Sequence, residues 1–210
     1  MSMRITLAAR DLLFRQGVRA LLERHGYEVV AEASSGLQAV EVARKCRPDV
    51  AVLERLLPQL NGLDAARQIR SVSPATGVIL LASAGEDDFV LDAFRDGVRA
   101  FVLKTQPVED LLRAIREVSC GGIYVGAALS NTFLETLRGG QRMTRELLSP
   151  RERQVLQLVA EGNSTKQVAA LLSISIKTAE YHRTRLMKKL NIHGSVGLTR
   201  YAIRHGLTAP

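Results

Sequence analysis

Between Leu148 and Leu190 the chain reads LSPRERQVLQLVAEGNSTKQVAALLSISIKTAEYHRTRLMKKL, and the end of that stretch gathers Lys177, Thr178, Glu180, Tyr181, Arg183, Thr184, Arg185, Lys188 and Lys189. Wound as a helix, it places Ala179, His182, Leu186 and Leu190 along one line that can pack inward, and the polar residues cover the remainder. Cations and hydrogen-bonding side chains turned outward from a helix that follows a short helix and a tight turn suit the major groove of DNA. Lys177 and Thr178 stand at the helix start, where backbone N–H groups favour phosphate. His182 reads as a core histidine that orients the helix. Solvation of an exposed face would explain the charge alone, but not its coincidence with the capping and turn signals that precede it.

Those signals divide the stretch into three helices. Ser149-Pro150 opens the first, because Ser can cap, Pro suits the first turn, and Glu152 sits near the positive end. Val155, Leu156, Val159 and Ala160 recur at helical spacing until Gly162 stops the run. Ser164 or Thr165 caps a short second helix whose inward face is Val168, Ala169, Leu171 and Leu172. The turn Ser173-Ile174-Ser175 leads to the third helix, which is expected to begin near Lys177-Thr178.

Charge distribution points the same way. The net +8 arises wholly after residue 125: residues 1–125 carry 16 Lys/Arg against 16 Asp/Glu, whereas residues 126–210 carry 13 against 5. A polyanion partner is therefore implied for the C-terminal part alone. Acidic membrane is a poorer candidate, since no helix pairs its basic face with an exposed Trp/Phe face. No apolar run reaches membrane-spanning length, and the N-terminus lacks a signal-peptide pattern. Cys46 and Cys120 are far apart and in no metal-type spacing, so reduced, buried thiols in a cytoplasmic protein are expected.

At 210 residues the chain has room for two modest domains, here read as residues 1–125 and 148–210. The first alternates apolar strands with helices: strands at Arg4–Ala8, Tyr27–Ala31, Val50–Leu53, Val78–Leu81 and Ala100–Leu103, and helices ending near Gly26, Lys45, Ser71, Gly97 and Gly121-Gly122. Five such strands require a parallel sheet covered on both faces, and the flavodoxin-like order is the common solution. Ligands in these sheets meet the carboxyl ends of the strands, which directs attention to Ala8-Ala9-Arg10-Asp11, Glu54-Arg55, Ala82-Ser83 and Lys104. Residues 126–147 read as a linker with a helical segment (Leu129, Phe133, Leu134, Leu137) and the flexible Gly139-Gly140.

LSPRERQVLQLVAEGNSTKQVA, SISIKTAEYHRTRLMKKL and TRYAIRHGL resemble the LuxR-type (NarL/FixJ-like) output domains of bacterial response regulators, without a gap from Leu148 to Leu207. The resemblance implies an all-α, four-helix helix-turn-helix domain whose third helix reads DNA. It places base contacts at Glu180, Tyr181 and Thr184, where Glu can accept from cytosine N4 and Thr can meet a thymine methyl. Arg183, Arg185 and Lys188 then become contacts to the DNA backbone. Its last helix often serves as a dimer contact, here expected through Leu198, Tyr201 and Ala202.

RITLAARDLLFRQGVRALLE, RPDVAVLERLLPQLNGLDAARQIR and GVRAFVLKTQPVEDLLRAIREVSCGG resemble the receiver domain of two-component response regulators over residues 3–122. That family carries adjacent carboxylates for Mg²⁺, a phosphoacceptor Asp, a Thr or Ser, and a Lys. Here the carboxylate pair is Ala9-Arg10, the acceptor is Glu54 and the hydroxyl position is Ala82; only Lys104 remains, with Phe101 at the switch aromatic. Mg²⁺ needs oxygen ligands, and phosphotransfer needs that metal and in-line positioning. Ala9 offers no ligand, Arg10 brings a cation, and Asp11 is better placed to cap the next helix. Ser83 lies one position along a strand and so on its other face. This receiver is expected to be degenerate and unable to take a phosphoryl group. Glu54 is left with two readings: a longer carboxylate that reaches Lys104 and imitates part of a phosphoryl charge, or a remnant paired by Lys104 or Arg10 for stability.

The sequence therefore implies a dimeric, phosphorylation-independent regulator of transcription whose partner is double-stranded DNA, with no cofactor and no metal. A protein-interaction module, its receiver binding a protein or ligand and restraining another regulator, is the alternative. An enzyme is disfavoured, because no nucleophile-base pair, metal cluster or phosphate-cradling Gly loop is present.

Overall fold

The structure, a computed structural model, describes residues 2–83, 90–126 and 148–209. The expected linker helix lies outside these residues. The chain forms two compact units.

The N-terminal unit runs β1 (Arg4–Ala8), α1 (Leu12–Arg24), β2 (Glu28–Ala33), α2 (Gly36–Cys46), β3 (Val50–Glu54) and α3 (Gly62–Val72). It continues through β4 (Gly77–Ala82), α4 (Val90–Arg95), β5 (Ala100–Leu103), α5 (Val108–Ser119) and β6 (Tyr124–Val125). All pairings are parallel, in the order β2-β1-β3-β4-β5-β6. The first five strands have the expected flavodoxin-like order. The sixth strand is a correction to the five-stranded expectation: Tyr124 and Val125 pair with Ala100 and Phe101, in a run too short to show any period. Every residue of β3 is buried, as an apolar run covered on both faces demands. Helix α5 turns Leu111, Leu112, Ala114, Ile115 and Val118 onto the core, beside Ile5, Leu7, Val52 and Ile79.

Two local expectations change. Asp11 stands at the N-cap of α1, but its side chain makes no capping bond. Ser35 does cap α2, accepting from the Gln38 N–H. Cys46 is half-buried and Cys120 exposed, so neither is the fully buried thiol expected, and both are unpaired. Gly62 is required where it stands: a Cβ there would lie 2.3 Å from the Glu54 carbonyl oxygen.

The C-terminal unit contains α6 (Pro150–Ala160), α7 (Thr165–Leu171), α8 (Ile176–Leu190) and α9 (Ser195–Arg204), the four helices expected. Helices α6 and α7 each begin with a reciprocal capping box, Ser149 with Glu152 and Ser164 with Gln167, which selects Ser164 over Thr165. Ser175 caps α8, which begins at Ile176, one residue before the Lys177-Thr178 start, and Asn191 ends it in the left-handed conformation at φ 52°. Val155, Leu156, Leu158, Val168, Ala179, Leu186, Leu198 and Ala202 close the core. Shortening a buried leucine such as Leu186 to Ala costs about 2–5 kcal/mol in such a setting.

Candidate nucleic-acid interface

Helix α8 sorts its polar residues by what holds them. Lys177, Glu180, Thr184 and Lys188 are exposed and make no side-chain hydrogen bond or ion pair among the described residues. Glu180, Thr184 and Lys188 recur every four residues and so share one line along the helix. Next to it, Tyr181 and Arg185 form a second line: both are exposed, and Arg185 Nη1 donates to the Tyr181 hydroxyl at 3.3 Å. Thr178 is engaged at the cap, its hydroxyl 2.8 Å from Ser175 Oγ, which also accepts its N–H. Arg183 is half-buried and turned back towards α7, with Nη1 donating to Thr165 Oγ1 at 3.3 Å. His182 is half-buried; its Nδ1 is enclosed without a hydrogen-bond partner and its ring meets Tyr181 edge-on at 5.7 Å.

At the carboxyl ends of the strands Ala9 and Ala82 are buried and present only methyl groups. Glu54 ends β3 with its carboxylate closed from two sides. Oε1 is ion-paired with Lys104, and Oε2 accepts the Arg10 backbone N–H at 2.7 Å. Lys104 also lies over the Phe14 ring, 4.6 Å from its centroid, which adds a cation–π attraction. The Arg10 guanidinium is exposed and 4.0 Å from Asp11, so it is the main chain of residue 10, and not its cation, that enters the pocket. Ser83 is exposed beyond the end of β4. This set does not fit a receiver's Mg²⁺: two of the expected ligand positions lack a carboxylate, and both oxygens of the third are already engaged. Among the described residues no group of three or more His, Cys, Asp or Glu side chains could hold a metal ion.

Comparison with known families matches residues 5–116 to the response regulator receiver domain and residues 146–202 to the bacterial regulatory proteins of the luxR family. A putative transcriptional regulator of Pseudomonas aeruginosa is 35% identical over 92% of this chain and 93% of its own length. The transcriptional regulatory protein MctR of Rhizobium johnstonii is 31% identical over 98% of this chain and 95% of its own. The chain belongs to the LuxR-family response regulators. Among solved structures, a LuxR-family response regulator from an Aurantimonas species is similar at TM-score 0.62 with 29% identity, over 66% of this chain and 99% of that one. An RcsB–DNA complex is similar at TM-score 0.58 with 25% identity, over 96% and 98%.

As a LuxR-family response regulator the protein is a DNA-binding regulator of transcription, and two features of its output domain escaped the sequence. Leu198 and Ala202 are fully buried in the core, so they cannot meet a second copy while the domain is folded. The outward side of α9 instead shows Val196, 68% exposed, and Tyr201 is half-buried with its ring stacked on His205 at 3.8 Å. The second feature is Glu152. Its Oε2 accepts the Ser149 N–H at 2.8 Å and Lys189 Nζ at 2.6 Å, and its Oε1 faces Arg185 Nε at 3.3 Å. Burial alone would raise its pKa, but the bonds from Lys189 and Ser149 outweigh burial and hold the carboxyl below its ordinary range. The Ser-x-x-Glu spacing shows the cap; nothing local shows a partner 37 residues away.

Proposed function

We propose that this regulator reads a specific operator as a dimer and works without phosphorylation. Residues 1–125 act as a degenerate receiver, 126–147 as a linker and 148–210 as the reading domain. The observation that carries the proposal is the closed carboxylate of Glu54, held by Lys104 and the Arg10 N–H, on a chain whose α8 keeps Lys177, Glu180, Thr184 and Lys188 unengaged. Glu180, Tyr181 and Thr184 contact bases; Lys177, Thr178, Arg183 and Lys188 contact phosphates, and Arg185 does so only with the guanidinium edge that Glu152 and Tyr181 leave open. The DNA-bound RcsB neighbour supports the duplex as partner. The dimer uses the outward face of α9 around Val196 and Tyr201. Two unpaired thiols support work in the cytoplasm. Acetyl phosphate with Mg²⁺ should give no mass increase at Glu54 and no change in operator affinity; a phosphoryl adduct detected by intact mass overturns the proposal.

A second reading, a receiver that binds and restrains another regulator, is favoured by one observation. Leu13 on α1 is 84% exposed in the same unit as an apolar cavity of about 170 Å³ lined by Phe14, Val18, Val102, Leu103, Lys104 and Leu111. The ratio of specific to non-specific DNA affinity at stated salt separates the two. A reader typically reaches about 10³ or more, and an interaction module shows little or none.

A further inference from the structure

Helices α6 and α7 begin with the same reciprocal capping box and differ at one position. In α7 the third helical residue is Gln167, whose amide oxygen accepts the Ser164 N–H at 2.8 Å. In α6 it is Glu152, which makes the equivalent bond to the Ser149 N–H at 2.8 Å. The neutral amide of Gln167 caps as completely as the carboxylate, so capping does not account for the charge at position 152. What the charge does is visible across the domain, where it meets Lys189 at 2.6 Å and Arg185 at 3.3 Å, two cations of the reading helix.

Arg185 and Lys189 are four residues apart and in line with Tyr181. Arg185 is held at both ends, its Nε ion-paired with Glu152 at 3.3 Å and its Nη1 donating to the Tyr181 hydroxyl at 3.3 Å. Its guanidinium is a planar fork, so fixing one edge fixes the other. A path of direct contacts therefore runs from the start of α6 through Arg185 to the Tyr181 phenol, a side chain assigned to base contact. Lys188, one residue before Lys189, has no such partner and is exposed.

We infer that Glu152 is a positioning residue for DNA reading: it withholds Lys189, and in part Arg185, from phosphate and through Arg185 fixes the direction of the Tyr181 hydroxyl. The inference rests on the DNA-reading role of α8. Its consequence is a lower sequence-independent affinity than the cations of α8 would otherwise confer. Each phosphate contact adds about one unit to the slope of log affinity against log salt, so the withheld cations can be counted.

The test uses the full chain and a random-sequence duplex titrated with salt, beside a duplex selected by the protein from a random pool. Lys188→Gln should lower the slope by about one unit and Lys189→Gln should leave it unchanged. Glu152→Gln, which keeps a capping side chain, should raise the slope by about one to two units as Lys189 and Arg185 reach phosphate. The same variant should reduce discrimination between the selected and random duplexes several-fold, with Arg185→Gln losing discrimination in the same way. A residue that only supports the fold would instead lower the melting temperature and weaken both duplexes equally, with the slope unmoved; that outcome overturns the inference. So does a Lys189→Gln slope that falls as far as that of Lys188→Gln. If Lys188→Gln also leaves the slope unchanged, the reading role of α8 itself fails.

Discussion

Two buried glutamates among the described residues hold a lysine ammonium, with opposite consequences for the surface around them. At the end of β3, Glu54 takes up Lys104 and the Arg10 N–H, and the neighbouring positions Ala9 and Ala82 offer nothing further. The carboxylate and its two partners hold one another, and neither alanine offers a polar side chain to an outside ligand charge. At the start of α6, Glu152 takes up Lys189 and one edge of Arg185, yet on the same helix Lys177 and Lys188 stay unengaged. The same chemical pair thus closes one site and selects among the charges of the other. The presence of an ion pair says little about function; what the fold leaves unpaired beside it says more.

The largest expected effect tests the surface that completes the second region. Leu198→Asp puts an unpaired carboxylate in the output core and should cost upwards of about 4 kcal/mol, read as loss of that domain's urea transition. Val196→Asp on the same helix should stay within about 0.5 kcal/mol and should weaken operator binding if α9 joins two copies. The next effect is a direct contrast of the two lysines. Lys104→Ala leaves Glu54 enclosed without its cation and should cost about 3 kcal/mol, the low end for a buried pair, because the Lys104 side chain is 21% exposed. Lys189→Ala should cost less than about 1 kcal/mol, since its side chain is 34% exposed and Arg185 remains on the carboxylate. Equal costs from chemical denaturation would erase the distinction drawn between the sites.

A smaller contrast lies along α8. Thr184→Ala or Glu180→Ala should change base preference at one position by about 1–3 kcal/mol, whereas Lys177→Ala should weaken all sequences alike. Selection from a random pool beside a salt titration separates these outcomes. The smallest effect is on acid stability. The Glu152 carboxyl lies below its ordinary range when folded, so its contribution is complete above the unfolded value and is lost as pH falls through the folded one. Urea midpoints between about pH 6 and about pH 3 should therefore fall less steeply in Glu152→Gln than in the native chain. An unchanged steepness would mean that the pair adds nothing to stability.

Local chemistry carried most of the fold into the sequence. Short apolar runs rich in β-branched residues, such as Val50–Leu53, favour buried strands, and Ser149-Pro150, Ser164 and Gly162 punctuate the helices within a residue or two. Tyr124–Val125 was invisible because two residues have no period, and pairing with β5 alone makes them a strand. The polar face of α8 was legible as a list but not as a division into engaged and unengaged groups. That division depends on Glu152 and Thr165, which belong to other helices. Leu198 and Ala202 were assigned to a surface because helical spacing marks an apolar face without saying whether this molecule or a second copy covers it. At the receiver the losses at positions 9, 54 and 82 were plain from residue types, whereas the use of the Arg10 amide in place of its guanidinium required the structure.

That amide has a consequence for descent. A main-chain donor survives any substitution at position 10 short of proline, so drift there does not loosen the grip on Glu54. Shortening Glu54 to Asp draws the carboxylate back by one methylene from both the amide and Lys104, before any new carboxylate exists to bring in a metal. If the receiver works without phosphorylation, as proposed, Glu54→Asp alone is expected to cost stability and to return no phosphorylation.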